Sequence, residues 1–215
     1  MPGAIGEHLG RMGIAERRAR EKDELRQKIL DAATELFLKN GYESVTMRGI
    51  ADRIDYAPST IYLHFKNKIE IVAAICQETF ETLIERLEET ENQGLGPIDN
   101  LKAGIRCYIQ FGLDHPHQYQ LVIGDANTAE VSTTIESIQL GKQALAFLAR
   151  ALFRCQEAGV FTASDAGADA IVVWSQMHGT TAILVNDYGR YEFPWPPREA
   201  IIERSIDLIV RGLRG

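Results

Sequence analysis

Apolar residues recur three and four positions apart along most of this chain, the spacing of a buried helical face. The first such stripe is Leu25, Ile29, Ala33, Leu36 and Phe37. It predicts a helix beginning between Glu16 and Asp23 and running to Lys39, with Asn40-Gly41 as its stop. A shorter pattern follows. Thr46 is a good N-cap for a helix from about Met47 to Ile54, on which Ile50, Ala51 and Ile54 share one face. Asp55-Tyr56-Ala57 reads as a turn, and Pro58 suits a first helical position, where its missing N–H costs nothing. From Pro58 to about His64 a second short helix puts Ile61 and Phe65 inward and leaves Ser59, Thr60, Tyr62, Leu63 and His64 on or near its outer face. A helix this short is not stable alone and must be held by neighbours. Its outer side chains suit phosphates and base edges, which points to a helix-turn-helix entering a major groove.

Further on, Asn67 with Glu70 in capping-box spacing opens a helix to about Thr90. Val72, Ile75, Phe80, Leu83, Ile84 and Leu87 form its stripe, over roughly 35 Å. Asn92 to Pro97 (NQGLGP) breaks the chain and reads as a domain boundary. Beyond it the pattern is helical only, at about 97–113, 116–123, 129–158, 165–186 and 197–213. The expected class is all-α: a tail at 1–15 without order, a three-helix head at 16–68, and a larger helical domain at 69–215 with a connector helix at about 68–90. In the last helix Ile201, Ile202, Ile206, Leu208, Ile209, Val210 and Leu213 cover more than one face. Such a surplus predicts a partner. With the small residues Gly179 and Ala182 it predicts a two-fold interface built from Gly179, Ala182, Ile202, Ile206, Ile209 and Leu213.

Composition is that of an ordinary globular chain, 45% hydrophobic and 25% charged over 215 residues. The net charge of −7 looks wrong for a nucleic-acid binder until it is divided. Residues 1–68 carry 12 Lys and Arg against 10 Asp and Glu, a net +2; residues 69–215 carry 11 against 20, a net −9. A head so mildly basic must rely on placement and dimerisation more than on bulk charge. Arg17, Arg18, Arg20, Lys22 and Arg26 are interleaved with Glu16, Glu21, Asp23 and Glu24. This stretch reads either as an arm against the DNA backbone or as a solvated helix start with self-cancelling charges. No apolar run approaches the roughly 20 residues of a membrane helix. The first 15 residues hold no apolar core of a secretory signal. Three cysteines without close spacing, Cys76, Cys107 and Cys155, suit reduced thiols in a cytoplasmic protein.

Cys107, Tyr108, Phe111, Tyr119, Trp174, Met177 and His178 could line a small-molecule pocket, apolar walls with a few polar groups. The other reading is that they are core, their polar atoms bonded internally. His115-Pro116-His117 with His178 and Cys107 is too unspecific for a metal site, and no CxxC or HExxH supports one, so neither metal nor cofactor is expected. The chain has no G-x-S-x-G, G-x-G-x-x-G or P-loop, and is not expected to be an enzyme.

Residues 25–71 carry ILDAATELF, NGY, TMRGIA and STIYLHFKNK in order. This stretch resembles the DNA-binding domain of the tetracycline-repressor (TetR) family of bacterial regulators. Asp55 and Ala57 stand where Gly and Ser are common, and Leu63 where a polar residue is. These differences bear on the operator sequence and not on the fold. DHPHQYQLVIG (Asp114–Gly124) and WSQMHG (Trp174–Gly179) resemble a C-terminal domain of Trp-His-Gly type within the same family. The resemblance implies a ligand pocket and dimerisation through the last two helices.

It further implies a cytoplasmic homodimer that seats Pro58–His64 of each subunit in a double-stranded DNA operator. Ser59, Thr60 and Leu63 would face bases; Thr46, Arg48, Tyr62, His64 and Lys68 would hold phosphates, Arg48 reaching toward a base. A small-molecule effector in the second domain would tilt the connector and release the DNA, the behaviour of a repressor. The alternative is a helical ligand-binding or interaction protein that no longer reads DNA.

Overall fold

The computed structural model describes residues 13–124, 135–161 and 165–214. Its helices are α1 (Ile14–Asn40), α2 (Met47–Arg53), α3 (Pro58–Tyr62), α4 (Lys68–Glu91), α5 (Pro97–Asp114), α6 (Pro116–Tyr119), α7 (Ile135–Glu157), α8 (Ala166–Asn186) and α9 (Arg198–Arg214). A π-helical turn, Gln120–Gly124, continues α6. There is no strand among the described residues, and the all-α class holds. The chain divides into two compact units, Met1–Lys68 and Ile69–Gly215. The break at Asn92–Pro97, expected to be a domain boundary, therefore falls inside the second unit and joins two of its helices. Most of the expected tail lies outside the described residues, but Ile14 and Ala15 at its end belong to α1. The start expected for α7 near 129 also lies outside them.

In the first unit local chemistry sets the elements. The Glu16 carboxylate accepts from the Gly13 N–H at 2.9 Å as α1 begins. Gly41 ends α1 at φ 77°, a left-handed conformation that a residue with a Cβ adopts at a cost. Thr46 Oγ accepts from the Gly49 N–H at 3.0 Å and caps α2. Ile29, Leu30, Ala33 and Phe37 of α1, Ile50 and Ala51 of α2, and Ile61 and Phe65 around α3 are buried and form the core of this head. Arg53 joins α2 to α1 through Glu35 at 2.7 Å. The charges at the start of α1 cancel along the helix, Arg20 with Glu24 at 3.1 Å and Arg17 with Glu21 at 3.7 Å, on exposed side chains.

In the second unit the core gathers Leu83, Ile105, Ile109, Leu152, Val173 and Ile206 from five helices. Polar contacts fix the helices in place. Arg86 of α4 donates to Asp114 at the end of α5 at 2.7 Å. Arg106 of α5 pairs with Glu199 and Glu203 of α9. Gly112 lets α5 approach its neighbours closely: a Cβ there would lie 2.3 Å from Thr181 Cγ2 and 3.0 Å from the Tyr119 ring. Thr181 and Tyr119 are both fully buried and have nowhere to move. Gly112→Ala is expected to destabilise the protein by about 1–3 kcal/mol through overpacking, read as a lower urea midpoint. An unchanged midpoint would show that this contact is not tight.

Candidate functional site

Two places in the chain can carry recognition, one in each unit. In the first, α2 and α3 are joined by a turn in which Asp55 sits at φ 59°. That left-handed conformation is the physical reason a glycine suits the position. Ala57 precedes α3 in extended conformation and offers no side-chain cap. Pro58 opens the helix, and Ile61, fully buried, anchors it.

The opposite face is exposed. Leu63 is 81% exposed and Tyr62 54%, and Ser59 lies beside them in solvent. Thr60 and His64 are half-buried at the edges. Arg48 on α2 extends into water, and its contact with Asp52 is long, 3.9 Å. Tyr56, 40% exposed in the turn, joins this surface, although the sequence reading passed over it as a turn residue. Two of the expected contacts are already engaged within the head. Thr46 Oγ is occupied as the cap of α2. The Lys68 ammonium donates to the Tyr42 carbonyl at 2.8 Å and lies 4.3 Å from the centre of its ring. Burial, and then the nearby charges of Lys22 and Arg26, lower the His64 pKa below the ordinary 6.5, so the ring is neutral at pH 7.

The second unit contains a cavity of about 380 Å³. Its walls come from α4 (Phe80, Leu83, Leu87), α5 (Leu101, Gly104, Ile105), α7 (Ala144, Leu148) and α8 (Ile171, Trp174, Met177), among others. Of the residues read as pocket lining, Tyr108, Trp174 and Met177 are in its wall. Cys107, Phe111, Tyr119 and His178 are not. Phe111 and Tyr119 are buried in the core, and Cys107 is half-buried.

His178 stands behind the wall as the hub of an aromatic cluster. Trp174 stacks on its ring at 5.4 Å. The Tyr119 and Tyr108 hydroxyls lie 2.8 and 3.2 Å from its Nδ1. Nδ1 has one lone pair, so when it accepts it takes one hydroxyl at a time. Tyr119 also reaches the His178 carbonyl at 3.2 Å, which gives its proton a second acceptor. Burial pushes the Tyr108 hydroxyl up to about 12 and raises Tyr119 as well, so both stay protonated donors. Burial lowers His178. The three thiols are unbridged and raised by burial, Cys76 to about 11, which removes them as nucleophiles at neutral pH.

One end of the cavity is polar, a feature that single-residue reading missed. Glu91 of α4 takes hydrogen bonds from Arg154 at 2.6 Å and Arg150 at 3.3 Å, both of α7. Arg154 also donates to Asn100 Oδ1 at 3.0 Å, and Asn100 donates to the Thr90 carbonyl at 3.1 Å. Burial alone would raise Glu91, but the two arginines outweigh it and hold the carboxylate below its ordinary range. The signal was available as charges set into the apolar stripes of α4 and α7, at Glu91, Lys142 and Arg154.

The expected dimer face needs correction. Ile202, Ile206 and Ile209 are 2–4% exposed in the single chain, so they are core and not free to meet a partner. Helix α9 packs on both α5 and α8, which uses up its wide apolar arc. Leu213 is half-buried against the same core, and Leu208, at 53%, is the exposed apolar residue of α9. Of the expected set, Gly179 and Ala182 of α8 are half-buried, and among the described residues the exposed side chains of Val172 and Ile183 lie on the same helix. A Cβ at Gly179 would meet nothing within 4 Å. Among the described residues no group of three metal-ligating side chains comes together, and no helix is long and apolar enough to cross a membrane.

Comparison with known proteins matches this division. Residues 29–75 fit the family described as "Bacterial regulatory proteins, tetR family", and residues 101–209 fit "Tetracyclin repressor-like, C-terminal domain". The chain belongs to the tetR family of bacterial regulators. It is 29% identical over 102 residues to the HTH-type transcriptional activator FasR of Mycolicibacterium smegmatis, covering 47% of this chain and 46% of that protein. It is 33% identical over 104 residues to the fatty acid metabolism regulator protein of Bacillus subtilis, covering 48% of each. The chain thus spans about half the length of these curated relatives. The fold matches that of the fatty acid degradation regulator FadR from Bacillus halodurans with a TM-score of 0.72 at 23% identity, over 88% of this chain and 96% of that one.

Histidine burial makes stability depend on pH in a stated direction. His178 and His115 have pKa values lowered below 6.5, His178 by burial, His115 by burial and then by Arg86. The unfolded chain therefore takes up protons that the folded chain refuses. Their contribution is complete above about pH 6.5 and is lost as pH falls through the lowered values. Thermal melts are expected to be flat from about pH 8 to 7 and to fall below pH 6.5. His178→Gln should flatten that fall; an equally steep fall in the variant would remove His178 as its source.

Proposed function

We propose that this chain is a DNA-binding transcriptional regulator that acts as a homodimer in the cytoplasm and is released from its operator by a small molecule. The observation that carries this reading is the exposed face of α3, held rigid by buried Ile61 and Phe65 and flanked by the extended Arg48. Ser59, Thr60 and Leu63 suit base contacts, with Leu63 against a thymine methyl. Arg48, Tyr62 and the neutral His64 suit phosphates, and Tyr56 extends that row. Thr46 and Lys68 are better read as supports of the head, since one caps α2 and the other is held on Tyr42.

The α8 residues Val172, Gly179 and Ile183, with Leu208 of α9, support a two-fold contact that sets the spacing of two heads. Trp174, His178 and Gly179, the residues of the Trp-His-Gly resemblance, then divide their roles between cavity wall, hub and dimer face. Phe80, Leu83 and Leu87 on the cavity side of α4 belong to the helix that starts at the boundary of the first unit. A ligand that fits best when α4 is shifted would favour the released state by its difference in affinity. Bound at an operator, the dimer would block polymerase.

Fluorescence anisotropy with DNA from upstream of the chain's own gene, against scrambled DNA at several salt concentrations, tests the reading. Tight, selective and salt-steep binding is expected. Thr60→Ala should weaken the selected DNA about fivefold and leave scrambled DNA unchanged, whereas Arg48→Ala should weaken both and lower the salt slope by about one. Equal effects of the two variants on both DNAs would contradict these roles. Absence of selective binding to any genomic fragment would favour a helical protein that does not read DNA.

A further inference from the structure

The cavity of the second unit is elongated, and its two ends differ chemically. Phe80 of α4 faces Gly141 of α7, where an added Cβ would lie 3.7 Å from the Phe80 ring. At the other end Glu91 of α4 meets Arg154 of α7. The two helices therefore run parallel, with the cavity between them. At about 1.5 Å per residue it extends roughly 16 Å along α4 and 20 Å along α7. Its volume of about 380 Å³ has room for roughly a dozen groups of about 30 Å³ each. The walls between the ends are mainly leucine, isoleucine and phenylalanine side chains, with Tyr108, Trp174 and Met177 among them.

The Glu91 end closes on itself, its carboxylate and guanidinium paired and Asn100 bonded on both sides. Two guanidiniums, Arg150 and Arg154, share that one carboxylate, and Arg154, the one of the two that lines the cavity, is already bonded to Glu91 and Asn100. At the opposite end Lys142, next to Gly141, is exposed and lines the cavity. No carboxylate among the described residues lies within ion-pair reach of it. Among the described residues the site is thus a long apolar slot whose Glu91 end has its charged groups bonded to one another, with the exposed Lys142 ammonium at the other end.

We propose that the slot holds a single-chain amphiphile, an acyl chain of about a dozen carbons lying between α4 and α7 with an anionic head at Lys142. This rests on the reading of the second unit as a ligand unit and names the chemistry it takes. A chain with a charged head is the shape that fills such a space without burying an unpaired charge. The open mouth leaves the far side of the head in water.

Isothermal titration of the full chain with sodium dodecanoate, dodecanol and sodium cholate tests the assignment. Dodecanoate is expected to bind one per chain. Lys142→Gln should weaken it about tenfold and Lys142→Arg should not, while dodecanol should be indifferent to either change. Gly104 lines the cavity, and a Cβ there would meet nothing within 4 Å. Gly104→Phe starts its side chain in open space at the cavity wall, and should abolish binding of both dodecanoate and dodecanol while the thermal melt keeps its cooperativity.

The dodecanoyl thioester of coenzyme A, titrated in parallel, separates the sources of the anion. Tighter binding than the free acid places carrier phosphates at Lys142, and weaker binding places the carboxylate there. Both outcomes uphold an anionic acyl ligand. No binding of dodecanoate or its thioester, binding indifferent to Lys142→Gln and Gly104→Phe, or preference for the rigid ring acid cholate would overturn it. Operator binding by the same preparation without ligand is measured alongside. If DNA binding holds and dodecanoate binding fails, the amphiphile is wrong and the regulator stands; if DNA binding fails, the regulator reading is at fault.

Discussion

The constraint from which the second unit takes its form is the separation of four helices around a cavity of about 380 Å³. Protein interiors otherwise pack like organic crystals, so specific contacts must set that separation. At one end the Glu91, Arg150, Arg154 and Asn100 contacts fix the separation of α4, α5 and α7. Alongside, the Trp174, His178, Tyr108 and Tyr119 cluster stiffens the wall with hydrogen bonds and ring contacts. Gly112 lets Tyr119 settle behind that wall by giving up its own side chain. These contacts keep the helices apart around the proposed ligand site.

The first unit solves a different problem. A helix of five residues has no stability of its own, so α3 exists because Ile61 and Phe65 are buried. The consequence is useful: every side chain not needed for that anchoring is free to face outward. Arg26 over the Phe65 ring and Lys68 over Tyr42 show cations of the head spent partly on packing. That spending explains how a head with a net charge near zero still presents Arg48 and Tyr62 to a partner, since the charges that matter are placed and not merely counted.

Much of this was legible in the residues alone. Thr46, Pro58 and Gly41 set the ends of their helices by local chemistry, and such signals survive any tertiary context. The helix pattern of the second unit was legible for the same reason, since period 3.6 reports a buried side whatever buries it. What buries it was not. The broad apolar arc of α9 looked like a surplus for a second subunit, but α5 and α8 consume most of it within the chain, leaving Leu208 exposed, as Val172 and Ile183 of α8 are. The pocket was half legible. Tyr108, Trp174 and Met177 line the wall, while Tyr119 and His178 stand one layer behind it, a distinction that depends on which helix lies opposite. Lys142 and Arg154 escaped notice because a charge in an apolar stripe reads as surface until the stripe is seen to border a cavity.

The central claim is that two copies of the α3 face, held at a fixed spacing, read one DNA site. Hydroxyl-radical footprinting on the genomic fragment that the chain selects tests this most directly, with the stoichiometry measured on the same complex. Two protected half-sites about one helical turn apart, or a small multiple of it, with an even number of chains per duplex, are expected. A single protected patch bound by one chain, or uniform protection without a selected site, would contradict it.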